Sequence, residues 1–263
     1  MRFANPIGGL PPVVKNLLII NGLFFLLKLS FGQDAMGRNQ LDAILGMYYV
    51  GSPLFQPWQL VTHMFMHGDM GHIFLNMFAL FMFGGPIERL WGSKRFLIYY
   101  FITGFGAVAL HTGVNAFEVK RDEAALEVYG VSPSDVKAAA AQTTFDTSAA
   151  YESLQQVADK SGAPPDAVLQ LFYDYVGTMI GASGAVFGVL LAFGMMFPNT
   201  QLFLLFPPIP IKAKYFVIGY GLLELFAGVS QSAGDNVAHF AHLGGMLFGF
   251  LLIRYWRNQG QFP

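Results

Sequence analysis

The sequence predicts an all-α integral membrane protein with six membrane-spanning helices. Hydrophobic residues make up 54% of the 263 residues and charged residues only 12%, whereas a soluble domain carries about 25% charged residues. Six mainly apolar stretches approach the roughly 20 residues that one helical crossing requires. They comprise residues 13–31, 60–83, 96–117, 178–197, 215–229 and 237–255. The chain is therefore interpreted as one membrane domain, residues 1–263, with a polar insertion at residues 118–176.

The first stretch allows two interpretations. Its uninterrupted part, residues 17–27, is short enough for a secretory signal peptide. We favour a retained helix, because no convincing small-residue cleavage site follows and Lys28 can extend its ammonium group to the membrane surface.

Lysine and arginine residues collect in the segments that would face the cytoplasm, as the positive-inside rule requires. These residues are Arg2, Lys15, Arg89, Lys94, Arg95, Lys212, Lys214, Arg254 and Arg257. Most acidic residues lie in the opposite loops, so we expect both termini in the cytoplasm, with the plasma membrane of a bacterium as the location. The net charge of −1 gives no indication of a nucleic-acid partner. The absence of cysteine excludes disulfides, thiolate metal sites and a cysteine nucleophile.

The insertion at residues 118–176 is expected to be helical and extracytoplasmic. The sequence "SPSD", which begins at Ser132, has a serine cap followed by proline at the first helical position. The sequence "APPDAVLQLFYDYV" repeats this kind of start before an amphipathic run. An extramembrane spacer and a functional lid both remain open as interpretations.

Six polar side chains lie within two of the predicted spans, where such groups are costly and usually mark function. They are His63, His67, His72 and Asn76 in the second span, and His239 and His242 in the sixth. His72 and Asn76 lie four residues apart, which places them on one face of a helix. Gly68 and Gly71 favour a break between this pair and the two preceding histidines.

Two metal chemistries fit these histidines poorly. His63 and His67 have the spacing of a zinc motif, but "HMFMH" lacks the glutamate of H-E-x-x-H. The pairs His63/His67 and His239/His242 superficially resemble the boxes of membrane di-iron oxygenases, which supply more histidines than the six of this chain.

The third chemistry is nucleophilic catalysis, which needs a hydroxyl within reach of an imidazole and donors directed at the developing oxyanion. Ser183 lies between small residues in "MIGASGAVFG". Small residues also recur every four positions in two spans, at Gly184, Gly188 and Ala192 and at Ala241, Gly245 and Gly249. This spacing lets membrane helices pack closely, and close packing would bring Ser183 toward His242. Glu224 in the fifth span requires a buried partner or a neutral state, and the sequence identifies neither.

These motifs resemble those of the rhomboid family of intramembrane serine proteases. "GASGAVFG" is similar to the family's G-x-S-G element, and "AHLGGMLFG" is similar to its sixth-span motif. "HMFMHGDMGHIFLN" resembles the second-span signature, and "GGPIERLWGS" resembles the cytoplasmic turn after it. The resemblance covers all six spans and leaves out the insertion.

The resemblance implies a rhomboid-like bundle and a dyad without a third carboxylate. Ser183 would be the nucleophile and His242 the general base, while His72 and Asn76 would stabilise the oxyanion. The supporting residues would be Gly181, Gly184, Phe187, Gly245 and Gly249. Substrates would be single-span membrane proteins that unwind and enter beside the fifth span, under a cap formed by residues 230–238. No cofactor is implied.

Two residues depart from the family pattern. The family commonly has Trp-Arg after the first span, where this chain has Trp58 and Gln59, so we expect a less firmly anchored loop. The family often has a tyrosine four residues after the serine, where this chain has Phe187. An aromatic face still supports the imidazole. We further hypothesise that the insertion covers the mouth of the site and influences which substrates are cleaved.

Two other classes of function remain as alternatives. Inactive rhomboid relatives bind membrane client proteins, and they typically lack the serine or the histidine that this chain retains. A transporter would need charges along a path through the membrane, and only Glu224 and the histidines qualify.

Overall fold

The computed structural model describes residues 9–34, 36–143, 147–203, 209–230 and 238–260. In chain order its helices are α1 (Pro12–Lys28), α2 (Gln40–Leu45), α3 (Gln59–Thr62), α4 (Met70–Ala79), α5 (Gly85–Trp91), α6 (Ser93–Glu127), α7 (Pro133–Gln142), α8 (Thr147–Ser161), α9 (Pro165–Val176), α10 (Ser183–Met196), α11 (Ala213–Ser230) and α12 (His239–Asn258). The short strands are β1 (Met47–Tyr48), β2 (Thr178–Met179), β3 (Gln201–Phe203) and β4 (Pro210–Lys212). The predicted all-α class is therefore confirmed.

The chain divides into two compact units. One comprises Met1–Phe25, His67–His111 and Gly181–Pro263, and the other comprises Leu26–Met66 and Thr112–Ile180. Among the described residues, β3 pairs antiparallel with β4 in the first unit, and β1 pairs antiparallel with β2 in the second.

The second long helix begins later than the sequence predicts. Residues 59–65 form only α3 and a single 3₁₀ turn, and the helix begins at Met70. Asp69 caps it by accepting the N–H of His72 at 2.9 Å, which satisfies one of the orphan donors of the first turn. A π-helical turn then joins α4 to α5, so the expected turn in "GGPIERLWGS" is helical as far as Trp91. The chain turns at Gly92, which has a φ of +81°.

Two further boundaries also differ from the predicted spans. The fourth span was predicted to begin at residue 178, but residues 178–179 form β2 and the helix begins at Ser183. The third long helix, α6, continues past residue 117 to Glu127. Ser183 therefore lies at the very start of its helix.

The start of α1 is held by a buried carboxylate from α5. Glu88 accepts the N–H groups of Val13 and Val14 at 2.9 and 2.8 Å. The hydroxyl of Ser93 donates to the same carboxylate at 2.7 Å. Glu88 thus caps a helix that is distant in sequence, because the first N–H groups of a helix lack partners within it.

The insertion helices α7, α8 and α9 surround a hydrophobic core in the second unit. Its buried side chains include Val136, Leu154, Leu171 and Phe172. The cap of α7 is formed as predicted, because the hydroxyl of Ser132 accepts the N–H of Ser134. The insertion is therefore a packed structure with its own core.

Asp174, on α9, has a perturbed carboxyl group in this unit. Burial raises the pKa of Asp174 to about 7, and the neighbouring Asp122 carboxylate adds to the rise, while Gln170 opposes it by donating a hydrogen bond. A carboxyl with such a pKa is largely neutral below pH 7.

Two of the described helical segments are long and apolar enough to cross a membrane, namely Met70–Trp91 and Ser93–Glu127. Ser183–Met196 is a shorter apolar helix. The helices α1, α11 and α12 each contain lysine, arginine or glutamate. The six-span arrangement stays a prediction.

Candidate active site

Ser183 and His242 are joined by a hydrogen bond. Ser183 Oγ lies 2.9 Å from His242 Nε2. Ser183 is the first residue of α10 and is partly exposed, whereas His242 lies in the first turn of α12 and is buried. This contact is the one that nucleophilic catalysis requires of a serine and its base.

Glycine lets the two helices approach closely enough for this contact. A Cβ atom at Gly245 would overlap the main-chain carbonyl of Gly184. A Cβ atom at Gly184 would lie 3.3 Å from the carbonyl of Ala241 on α12 and would overlap Ala107 on α6. The predicted close packing of α10 and α12 is therefore confirmed at Gly184 and Gly245. Gly188 and Gly249 of the same pattern face α6, where a Cβ atom would meet Thr103 and Tyr99 respectively.

The imidazole of His242 is supported on one face by Phe187. The two rings are stacked, with centroids 4.1 Å apart and planes within 5° of parallel. Tyr220 of α11 packs against Phe187 at a centroid distance of 5.0 Å. A phenyl ring thus fills the place expected from the sequence, and ring stacking restricts rotation of the imidazole.

His72 and Ser183 both border the space beside Gly181. A Cβ atom at Gly181 would lie 2.8 Å from His72 Nε2 and 3.5 Å from Ser183 Oγ. Gly181 also has a φ of +128°, which side-chain-bearing residues rarely adopt. The absence of a side chain leaves a space that both His72 and Ser183 border, as a reacting carbonyl would require.

The hydrogen bonds of His72 indicate which ring nitrogen carries the proton. The N–H of Gly68 donates to His72 Nδ1 at 3.3 Å. In the neutral ring the proton is therefore on Nε2, the nitrogen that faces Gly181 and Ser183. His72 Nε2 can consequently donate to a developing oxyanion.

Asn76 and the start of α10 supply further polar groups. Asn76 is buried, and its Nδ2 donates to the carbonyl of His72 at 3.0 Å. The first intrahelical bond of α10 comes from the N–H of Val186 to the carbonyl of Ala182. The preceding N–H groups of the first turn, including that of Ser183, lie at the positive end of the helix dipole.

A carboxylate adjoins the pair, contrary to the expected dyad without one. Glu224 Oε2 lies 2.8 Å from His242 Nδ1 and 2.7 Å from His239 Nδ1. The sequence indicated that Glu224 needs a partner, and both partners are histidines one helical turn apart on α12. His239 thus shares the carboxylate with the candidate base.

The same three residues are the described group most suited to a metal ion. The ligand atoms of Glu224, His239 and His242 lie within 4.8 Å of one another. Direct hydrogen bonds account for this spacing. His63 and His67 do not belong to such a group in the described part of the chain. His63 Nδ1 instead lies 2.7 Å from the carbonyl of Gln59, and His67 packs edge-on against the ring of His72.

Gln59 anchors its loop, contrary to the expectation from the missing arginine. Its Nε2 donates to the carbonyls of Ile44 and Leu54 at 3.3 and 3.4 Å, and its Oε1 accepts the N–H of Gln56. Trp58 Nε1 also donates to Ile44. A neutral amide therefore makes several main-chain contacts here. The predicted cap at residues 230–238 lies outside the described residues, apart from its two ends.

Comparison with known proteins identifies the family. The Rhomboid domain family matches residues 54–132 and 162–259, more than half of the chain. The mitochondrial RHOMBOID-like protein 12 of Arabidopsis thaliana is 28% identical over 235 residues, covering 89% of this chain and 55% of that protein. An uncharacterized mitochondrial rhomboid protein of Schizosaccharomyces pombe is 25% identical over 77% of this chain and 52% of its own length.

A bacterial relative carries a protease name. Rhomboid protease GluP of Bacillus subtilis is 38% identical over 53 residues, which is 20% of this chain and 10% of that protein. The chain spans about half the length of the two longer-matching relatives. The chain belongs to the rhomboid family.

Proposed function

We propose that this chain is an intramembrane serine protease in which Ser183 is the nucleophile and His242 the general base. The observation that carries the proposal is the 2.9 Å contact between Ser183 Oγ and His242 Nε2. Family membership and the protease name of a relative support the same reaction class. His72 and Asn76 are proposed to stabilise the oxyanion, together with N–H groups at the start of α10.

The first chemical step transfers a proton and forms a covalent bond. His242 Nε2 removes the proton from Ser183 Oγ while Oγ attacks the carbonyl carbon of the scissile peptide. The carbonyl oxygen becomes negatively charged, and donation from His72 Nε2 stabilises it. The space beside Gly181 accommodates this oxygen or its carbon.

The second step breaks the peptide bond and the third regenerates the enzyme. The imidazolium of His242 returns its proton to the leaving nitrogen, and the C–N bond breaks to leave an ester on Ser183. Water then loses a proton to His242 Nε2 and attacks the ester carbonyl. The C–Oγ bond breaks, the acid leaves, and His242 returns the proton to Ser183 Oγ. The proton and bond changes of the full cycle sum to hydrolysis of one peptide bond.

The proposed surroundings of this chemistry are a lipid bilayer. We place six spans across it, with both termini on the cytoplasmic side and residues 118–176 on the opposite side. The substrates are single-span membrane proteins whose spans unwind near that side and enter beside α11. Because two relatives carry mitochondrial names, the expected bacterial plasma membrane is not part of the proposal.

Reconstitution tests this function directly. The purified chain is inserted into liposomes with a single-span protein that carries small residues near the outer end of its span. Wild type is expected to produce two fragments, and Ser183→Ala is expected to produce none. Equal fragmentation by both proteins would refute the proposal, because cleavage would then not depend on Ser183.

A further inference from the structure

The mechanism above assigns no role to Glu224, although this residue contacts its general base. Glu224 is 6% exposed, and an acidic group is costly in an apolar helix unless it has partners. Its Oε2 atom lies 2.7 Å from His239 Nδ1 and 2.8 Å from His242 Nδ1. One oxygen of the carboxylate, Oε2, therefore contacts both histidines at the start of α12.

Small residues on α11 explain how a glutamate reaches both rings. Gly221 and Gly228 lie three residues before and four residues after Glu224, on the same helix face. A Cβ atom at Gly228 would lie 3.2 Å from His239, and one at Gly221 would lie 3.2 Å from Met246. The close approach of α11 and α12 on either side of Glu224 brings its carboxylate to the histidine rings.

The two ring nitrogens of His242 have different partners. Glu224 Oε2 faces Nδ1, and Ser183 Oγ faces Nε2. A carboxylate oxygen accepts hydrogen bonds, so the Nδ1 atom that faces it carries the proton. In the neutral ring Nε2 then presents its lone pair to the hydroxyl of Ser183, which is the tautomer that a general base requires.

We propose that Glu224 is a positioning residue that holds His242 in the base-competent tautomer and stabilises its imidazolium during proton transfer, with His239 fixing the carboxylate by a second N–H bond. This inference rests on the proposed protease function. It replaces the expected dyad by a chain from Glu224 through His242 to Ser183. Loss of His239 is expected to be the milder change, because Glu224 keeps its bond to His242 Nδ1.

The test replaces the carboxylate with an amide of the same shape. The rate of Ser183 labelling by a fluorophosphonate is measured per folded molecule for wild type, Glu224→Gln, Glu224→Asp and His239→Gln. Glu224→Gln is expected to lower this rate about 10²- to 10⁴-fold, as loss of a base or its correct tautomer does. Glu224→Asp is expected to recover part of the rate, and His239→Gln to lose at most about tenfold.

Glu88→Gln is the matched control, because Glu88 is also a buried carboxylate with several hydrogen bonds in the same unit. It is expected to lower the unfolding temperature but to leave the labelling rate of folded protein unchanged. A wild-type labelling rate in Glu224→Gln would overturn the inference while labelling of Ser183 itself still supported the protease. Failure of wild type to label or cleave would instead refute the proposed function.

A second measurement needs no variant of Glu224. Histidine labelled with ¹⁵N reports which ring nitrogen is protonated, and His242→Gln and His239→Gln assign the signals. The proposal predicts that neutral His242 in wild type carries its proton on Nδ1, with a proton signal shifted downfield by the carboxylate. A neutral His242 protonated on Nε2 would overturn it, even if Glu224→Gln does not fold.

Discussion

Gly181→Ala is expected to displace the proposed oxyanion donor His72 from its position near the nucleophile Ser183. The new methyl group would lie 2.8 Å from His72 Nε2, where contacts of a real Cβ atom are essentially never found. The ring must therefore move, or the loop before α10 must shift. Loss of one oxyanion donor lowers kcat about 10²- to 10³-fold. The backbone at φ +128° adds strain of about 1–3 kcal/mol to the folded state.

The assay combines cleavage of a single-span substrate in liposomes with thermal unfolding of the same preparations. The kcat of Gly181→Ala is expected to be about 10²- to 10³-fold lower than that of wild type, and the variant is expected to unfold at a lower temperature. Substrate binding depends less on His72, so KM is expected to change little.

Gly92→Ala is the matched control for the backbone. Gly92 has a φ of +81°, and a Cβ atom there would have no neighbour within 4 Å. This variant is expected to lose stability but to keep the kcat of wild type. A Gly181→Ala protein with wild-type kcat would refute the assignment of the space beside Gly181 to the reacting carbonyl.

Three further outcomes are expected. Gly245→Ala overpacks the contact of α10 with α12 and should lower the free energy of unfolding by about 1–3 kcal/mol or more in denaturant titrations; an unchanged free energy would contradict the close packing. Phe187→Leu should lower kcat about 2- to 10-fold because ring stacking is worth about 0.5–1.5 kcal/mol, while Phe187→Tyr should keep it, and equal loss in both would count against stacking. Burial raises the pKa of Asp174 from 3.8 to about 7. The contribution of its neutral carboxyl to the free energy of unfolding is fully present below pH 3.8 and is lost as the pH rises through about 7. The unfolding temperature should therefore fall over this range in wild type, and Asp174→Asn should remove most of the fall; an identical pH profile in both proteins would contradict it.

Much of the candidate site could be predicted because its residues occur at regular spacings along the sequence. The small residues that include Gly184 and Gly245 recur at helical spacing, and helical spacing alone indicates a shared face. Ser183, His242 and Phe187 lie at fixed offsets from these glycines. The pairing of α10 with α12 therefore followed from spacing, and the stacking of Phe187 followed from the family resemblance.

The contact of Glu224 could not be predicted because it depends on the rotation of α11 against α12. The sequence shows an acidic residue, Glu224, in an apolar stretch, which indicates that it has a partner. The spacing of residues on α11 does not determine whether the side chains opposite Glu224 are polar or apolar. Gly221 and Gly228 flank Glu224 on its own face and were the available signal for a close helix contact there.

The start of the second long helix was predicted too early, because the apolar residues begin before the residue that caps the helix. Residues 60–66 are apolar enough to extend the span, but Asp69 accepts the N–H of His72 and so determines where the helix begins. The cap of α7 was predicted correctly, since Ser132 acts locally. At α9 the predicted proline start is present at Pro165, but no side chain caps the helix. The core that those helices share involves residues distant in sequence, and periodicity alone does not identify such pairs.

The proposed protease depends above all on activation of Ser183 by His242. The most direct measurement is labelling of the purified, detergent-solubilised protein with a fluorophosphonate probe, compared among wild type, Ser183→Ala and His242→Ala with folding verified for each. Wild type is expected to be labelled at Ser183, and both variants are expected to lose the label. A well-folded wild type that is not labelled, or a His242→Ala variant labelled as fast as wild type, would contradict it.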